Sequence, residues 1–259
     1  MFERSLIAGL GDTEKVQSVG YNLRSTRFAA SAVRERLSQE HWNVIVQAEE
    51  DLLARCTEAT RSGDFSALEA MRLLETTSTA TAAMTGAQTD RMTRDDGWRL
   101  LSIGRHVERL GFLSSALARA LASGATATTG GFESVLSLFD SSITFHSQYQ
   151  QGRELPALLD LLVLDRDNPR SLGWVAHTLA GRLAKLAGEA KVQDTPLARE
   201  VLQPARWSLE EICAVDGEGK HADLLKRLEG CVQSAYDISD AVGAIYFTHS
   251  RDAKTSVGA

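Results

Sequence analysis

Four residues within five positions, Arg105, His106, Glu108 and Arg109, bring two guanidinium groups, an imidazole and a carboxylate together. On a helix, Arg105 meets Glu108 three residues on and Arg109 four residues on. Guanidinium forks hold carboxylates or phosphates, and an imidazole exchanges protons near neutral pH. Gly104 and Gly111 flank the group and leave room for another backbone to approach. Three readings follow. The charges form a buried ion-pair network that fixes helix packing, they line a ligand groove, or they form a solvated face. Steps of three and four along the same stripe pass through Trp98, Leu101, Phe112 and Ala116, all apolar. That favours at least partial burial, and a buried charge needs a partner. His106 reads first as a hydrogen-bonded helix residue and second as an acid–base group. Arg170 at a helix start either joins the helix N-terminus in holding an anion or contacts neighbouring Asp165 or Asp167.

The remaining sequence offers little chemistry. A di-metal bundle needs Glu-x-x-His pairs on facing helices. Only Glu218 to His221 has that spacing in a trusted form, across a Gly-rich loop. No metal and no cofactor are expected. Gly217-x-Gly219-Lys220 lacks the first Gly and the Ser or Thr of a phosphate loop, and no Gly-x-Ser-x-Gly elbow exists. The other histidines, His41, His146, His177 and His249, are scattered singly. Cys56, Cys213 and Cys231 read as free thiols in a reducing compartment.

Helices must position these groups. Apolar spacing predicts one over Asp12 to about Leu37, unbroken or with a break near Gly20, then Glu40–Cys56 with Ser38 as its cap, Phe65–Met84, and Trp98–Leu121 capped by Thr93 or Asp95. A polar link covers Gly86–Asp96, and Ser123–Gly131 reads as an exposed loop. Further helices are expected over Phe132–Gln150 with Val135, Leu138, Phe139, Ile143 and Tyr149 on one broad apolar face, from Pro169 to about Ala187 with Asn168 as its cap, over Pro196–Ala214 with a kink or split at Pro204, and over His221–Phe247. Leu155–Leu164 is a short apolar segment, and Arg251–Ala259 is expected to fray. The fold class is all-α, a bundle of about eight helices with antiparallel neighbours.

Only 4 Pro among 259 residues suits long helices, because Pro breaks a helix interior. The net charge is −6, which disfavours nucleic acid and anionic membranes as partners. No stretch approaches the roughly 20 apolar residues of a membrane span, and the opening residues do not read as a secretory signal. A cytoplasmic location is expected.

Met92-Thr93-Arg94-Asp95-Asp96-Gly97-Trp98, followed by Ile103-Gly104-Arg105-His106-Val107-Glu108-Arg109, resembles the alpha-E domain family, with its Glu-Arg motif at Glu108-Arg109. Val33-Arg34-Glu35-Arg36-Leu37-Ser38 with Trp42, and Asn168-Pro169-Arg170-Ser171, resemble two further stretches of that family in the same order. The resemblance covers nearly the whole chain and implies one domain over residues 1–259. Two departures stand out. The additional N-terminal helix with its Gly-Arg-Tyr-x-Glu-Arg-like motif is not recognised ahead of Met1-Phe2-Glu3. Ala29 and Ser31 replace an expected Asn and Arg.

Such domains are fused to, or encoded beside, circularly permuted ATP-grasp ligases and transglutaminase-like proteins. The resemblance therefore implies a non-catalytic module in a bacterial peptide-ligation or peptide-modification system, with those proteins as partners and a homo-oligomer as a further option. The alternative is an enzyme or a small-ligand or peptide binder that uses Arg105, His106, Glu108, Arg109 and Arg170.

Overall fold

The computed structural model describes residues 2–63, 66–149 and 152–247. Among these the regular elements are all helical, with twelve α-helices and no strand. The chain divides into two compact units, Met1–Arg94 and Asp95–Ala259. His249 and the tail Arg251–Ala259 lie outside the described residues.

The first unit holds α1 (Phe2–Leu10), α2 (Val19–Ala32), α3 (Gln39–Ser62) and α4 (Ala67–Asp90). Ser18, Ser38 and Ser66 each start a helix by accepting a backbone N–H three residues on, which satisfies a donor that has no intrahelical partner. Gly63 ends α3 in the left-handed conformation at φ 75°. Ile7, Ile45, Leu52, Cys56 and Leu73 form the core. The expected Asp12–Leu37 helix is shorter, because residues 12–18 form an Asp12-centred turn and the chain leaves the helix after Ala32. Gly86 lies inside α4, so the expected polar link shrinks to residues 91–95.

A buried carboxylate paired with partly exposed arginines does exist, in this unit. The Glu49 side chain is only 8 % exposed and meets Arg24 at 3.5 Å and Arg27 at 3.1 Å. Arg34 donates to the Leu37 carbonyl and Gln39 and lies over the Trp42 ring at 5.3 Å.

The second unit is built on α5 (Asp96–Ala122), which packs against α9 (Leu172–Leu186) and α12 (Ala222–Tyr246). Between them run α6 (Thr129–Leu138), α7 (Ser142–Tyr149), α8 (Leu155–Leu159), α10 (Pro196–Arg199) and α11 (Leu209–Cys213). Asp95 caps α5 by accepting from the Trp98 N–H at 3.0 Å. Ile103, Leu110, Leu117, Phe132, Leu136 and Phe145 are among its fully enclosed core residues.

Four elements raise the number of helices from about eight to twelve. α1 and α8 are added, and two expected helices divide. The expected Phe132–Gln150 helix breaks at Asp140, whose φ of 49° interrupts the helical backbone. Leu138 and Ile143, expected on its apolar face, are instead 48 % and 88 % exposed. The Pro196–Ala214 segment divides around Pro204, which lacks the N–H an interior position needs. The Ser123–Gly131 loop contains a 3₁₀ turn at Ala125–Ala127, and α6 already begins at Thr129.

The start of α9 also differs. Ser171, not Asn168, is its cap, accepting from Trp174 N–H at 3.0 Å. Asn168 is occupied in a buried network: its Nδ2 donates to Ser141 Oγ and to the Leu161 carbonyl, and its Oδ1 accepts from the Arg170 N–H. Gly173 admits the tight entry of α9, because a Cβ there would lie 2.8 Å from the Leu164 carbonyl and 3.0 Å from the Ala205 Cβ.

Candidate functional site

The helical repeat decides which of the predicted site residues face inward. Each residue turns the helix by about 100°, so Glu108 lies about 200° from His106 and from Leu110. The buried arc of α5 runs through Trp98, Ser102, Ile103, His106, Leu110, Leu113 and Leu117. Glu108 consequently faces out and is exposed, and Phe112 is 57 % exposed. The expected Arg105–Glu108 pair inside an apolar seam is therefore overturned. Apolar neighbours on one stripe did not imply burial, since the inner arc also carries polar Ser102 and His106. A Cβ added at Gly104 would meet nothing within 4 Å, and one at Gly111 would sit at ordinary contact distance, 3.6 Å from the Ala235 Cβ, so neither glycine is required by a close backbone.

His106 is the buried polar group of the motif, at 5 % exposure. Its Nδ1 lies 2.6 Å from the Ser102 carbonyl and its ring centre 5.6 Å from that of Trp174. Burial pushes the imidazole down to about 4, and the positive charges of Arg109, Arg105 and Arg182 act in the same direction. A neutral imidazole at pH 7 suits a structural hydrogen bond better than proton exchange. Arg182 lies over the Trp98 ring at 4.5 Å.

Arg109 has a different setting. It is half-buried, and no carboxylate among the described residues lies within ion-pairing distance of it. Burial lowers its affinity for the proton, and the cations Arg170 and Arg105 lower it further. Arg170 does have a partner, though not the expected Asp165 or Asp167. Its guanidinium donates to Asp140 at 2.8 Å. Asp165 instead caps the local turn, accepting from the Asp167 and Asn168 N–H groups.

Glu108, Arg109 and Arg170 do converge. Together with Phe112, Leu138 and Phe139 they line an open cleft of about 350 Å³. It shares Glu108, Phe112 and Leu138 with a neighbouring groove of about 600 Å³, whose opposite wall is α12 with Tyr236 and Ser239. Arg105 and His106 line neither cavity. The sequence reading missed Asp140, Leu138 and Tyr236 as site-forming residues. The Asp140-Ser141-Ser142 cluster was a legible turn signal, whereas nothing local marks Tyr236.

Other candidate groups stay apart. Glu218 meets Lys220 at 2.7 Å, and the His221 Nδ1 lies 3.2 Å from the Ala214 carbonyl. Among the described residues no three His, Cys, Asp or Glu side chains gather as metal ligands. No helix among them is long and apolar enough to cross a membrane.

Comparison with known proteins adds the family. The sequence profile of the Alpha-E family, described as a predicted alpha-helical domain with a conserved Glu-Arg motif, matches residues 2–247. Similar curated proteins include uncharacterized protein Rv2567 of Mycobacterium tuberculosis and uncharacterized protein Mb2597 of Mycobacterium bovis. Each is 27 % identical over 241 residues. The alignment covers 90 % of this chain but 27 % of each relative, so the chain spans about a quarter of the length of the curated relatives it matches. No solved structure matches.

Proposed function

The chain belongs to the Alpha-E family, and on that premise we propose that it is a non-catalytic helical accessory module of a bacterial peptide-ligation or peptide-modification system. Its partner would be a circularly permuted ATP-grasp protein, with a transglutaminase-like protein as a second. The observation that carries the reading is the share of the relatives: what is 90 % of this chain is 27 % of theirs, as suits a module working with other domains. The resemblance supplies the identity of those domains. An oligomerisation role has less support, because Trp42 and Trp207 are half-buried beside Arg34 and Arg227 and form no open aromatic patch.

The test is direct binding. The purified chain, titrated with the ATP-grasp protein encoded in the same genome, is expected to form a complex with a Kd of about 10 µM or tighter. No complex at about 100 µM would remove the reading.

A second reading has its own observation. The cleft that gathers Glu108, Arg109 and Arg170 opens into the groove along α5 and α12, which suits a peptide-binding surface. A helix-lined groove of that kind offers apolar walls and few polar contacts that fix orientation.

A further inference from the structure

We propose that the cleft holds the terminal carboxylate of a peptide whose last side chain is apolar, with Arg109 as the anchoring cation. The inference rests on the peptide-groove reading and adds the chemistry of the ligand.

Three observations carry it. First, Arg109 is a half-buried cation with no carboxylate in pairing distance among the described residues, while Arg24, Arg27, Arg170 and Arg227 all have one. Arg170 and Arg105 add positive charge to its surroundings. A cation partly withdrawn from water and close to other cations gains from a bound anion. Guanidinium matches a carboxylate through two parallel hydrogen bonds.

Second, the charge available suits one negative charge and not several. Asp140 already pairs with Arg170 at 2.8 Å, and Glu108 stands on the same cleft wall. A polyphosphate would meet one uncompensated arginine and two carboxylates. A single carboxylate needs only Arg109.

Third, the surroundings are apolar and elongated. Phe112, Leu138 and Phe139 line the cleft, and the first two continue into the groove beside Tyr236. An apolar terminal side chain fits against them, and the preceding residues follow the groove.

The experiment uses the whole chain and three synthetic peptides followed by NMR titration. One is acetyl-Ala-Ala-Leu-Phe with a free C-terminus, one is its C-terminal amide, and one is the amide with an internal Glu. The free acid is expected to bind at least tenfold more tightly than either amide, with shifts at Arg109 Nε. Arg109→Gln is expected to remove that preference without lowering the melting temperature, since it relieves repulsion from Arg170. Leu138→Glu, at the exposed rim, is expected to weaken the free acid as well. Equal binding of acid and plain amide would overturn the carboxylate inference and leave the groove reading standing. A preference for the Glu peptide, or a free-acid preference that survives Arg109→Gln, would overturn it too. No binding by any peptide at millimolar concentration would remove the groove reading and the inference together.

Discussion

Arg170 donates to the carboxylate of Asp140 at 2.8 Å, joining residues thirty positions apart in sequence. Asp140 holds a positive φ of 49°, the value that separates α6 from α7. The backbone N–H of Arg170 donates to Asn168, whose amide in turn donates to Ser141. One break in a helix thus supplies both the partner of Arg170 and an acceptor for Asn168.

Asn168→Ala should cost about 2 kcal/mol, because it leaves the Leu161 carbonyl and Ser141 hydroxyl short of a buried donor. Asp140→Gly should stay within about 1 kcal/mol of the parent, since glycine adopts positive φ freely and the lost ion pair is exposed. Urea denaturation of the two variants checks the contrast.

Glu108→Ala should change stability by less than about 0.5 kcal/mol, as expected of an exposed side chain off the core arc. Removing both Arg24 and Arg27 as alanines should cost about 3 kcal/mol, because it strands the buried Glu49 carboxylate. Thermal melts of both variants decide where the structural ion pair lies. A large loss for Glu108→Ala would place it at the Glu-Arg motif after all.

Acid should weaken the fold through His106. Its folded value is about 4, against 6.5 for a free imidazole. As pH falls below 6.5 the unfolded chain takes up the proton first, so stability declines until the folded state also titrates near 4. Between pH 7 and pH 5 this amounts to about 2 kcal/mol. His106→Gln should start less stable at pH 7 and show a decline shallower by about that amount. Denaturation series at the two pH values measure it.

Gly173→Ala should destabilise by about 1–3 kcal/mol, since the added methyl meets the Leu164 carbonyl and Ala205 at the entry of α9. At Gly104, where a Cβ meets nothing within 4 Å, alanine should be neutral or stabilising. Melting temperatures of the pair give the test.

Local chemistry made much of this fold legible. The Ser38 and Asp95 caps and the extent of α5 follow from side chains within one or two turns, and so does the all-α class. The Glu108, Arg109 and Arg170 cleft was partly legible, because each charge was identifiable by type. Which of them would be buried was not. The period of 3.6 residues ranks positions around a helix, but only the neighbours pressed against it set where the buried arc begins. On α5 the contacts with α9 and α12 turned His106 inward and Glu108 outward. The partners of Asn168 and Arg170 came from the break at Asp140, far along the chain. Sequence thus determined the helices and the inventory of charges. Tertiary packing decided which charges lost water and which gained a partner, because desolvation and pairing depend on distances between segments that no local pattern encodes.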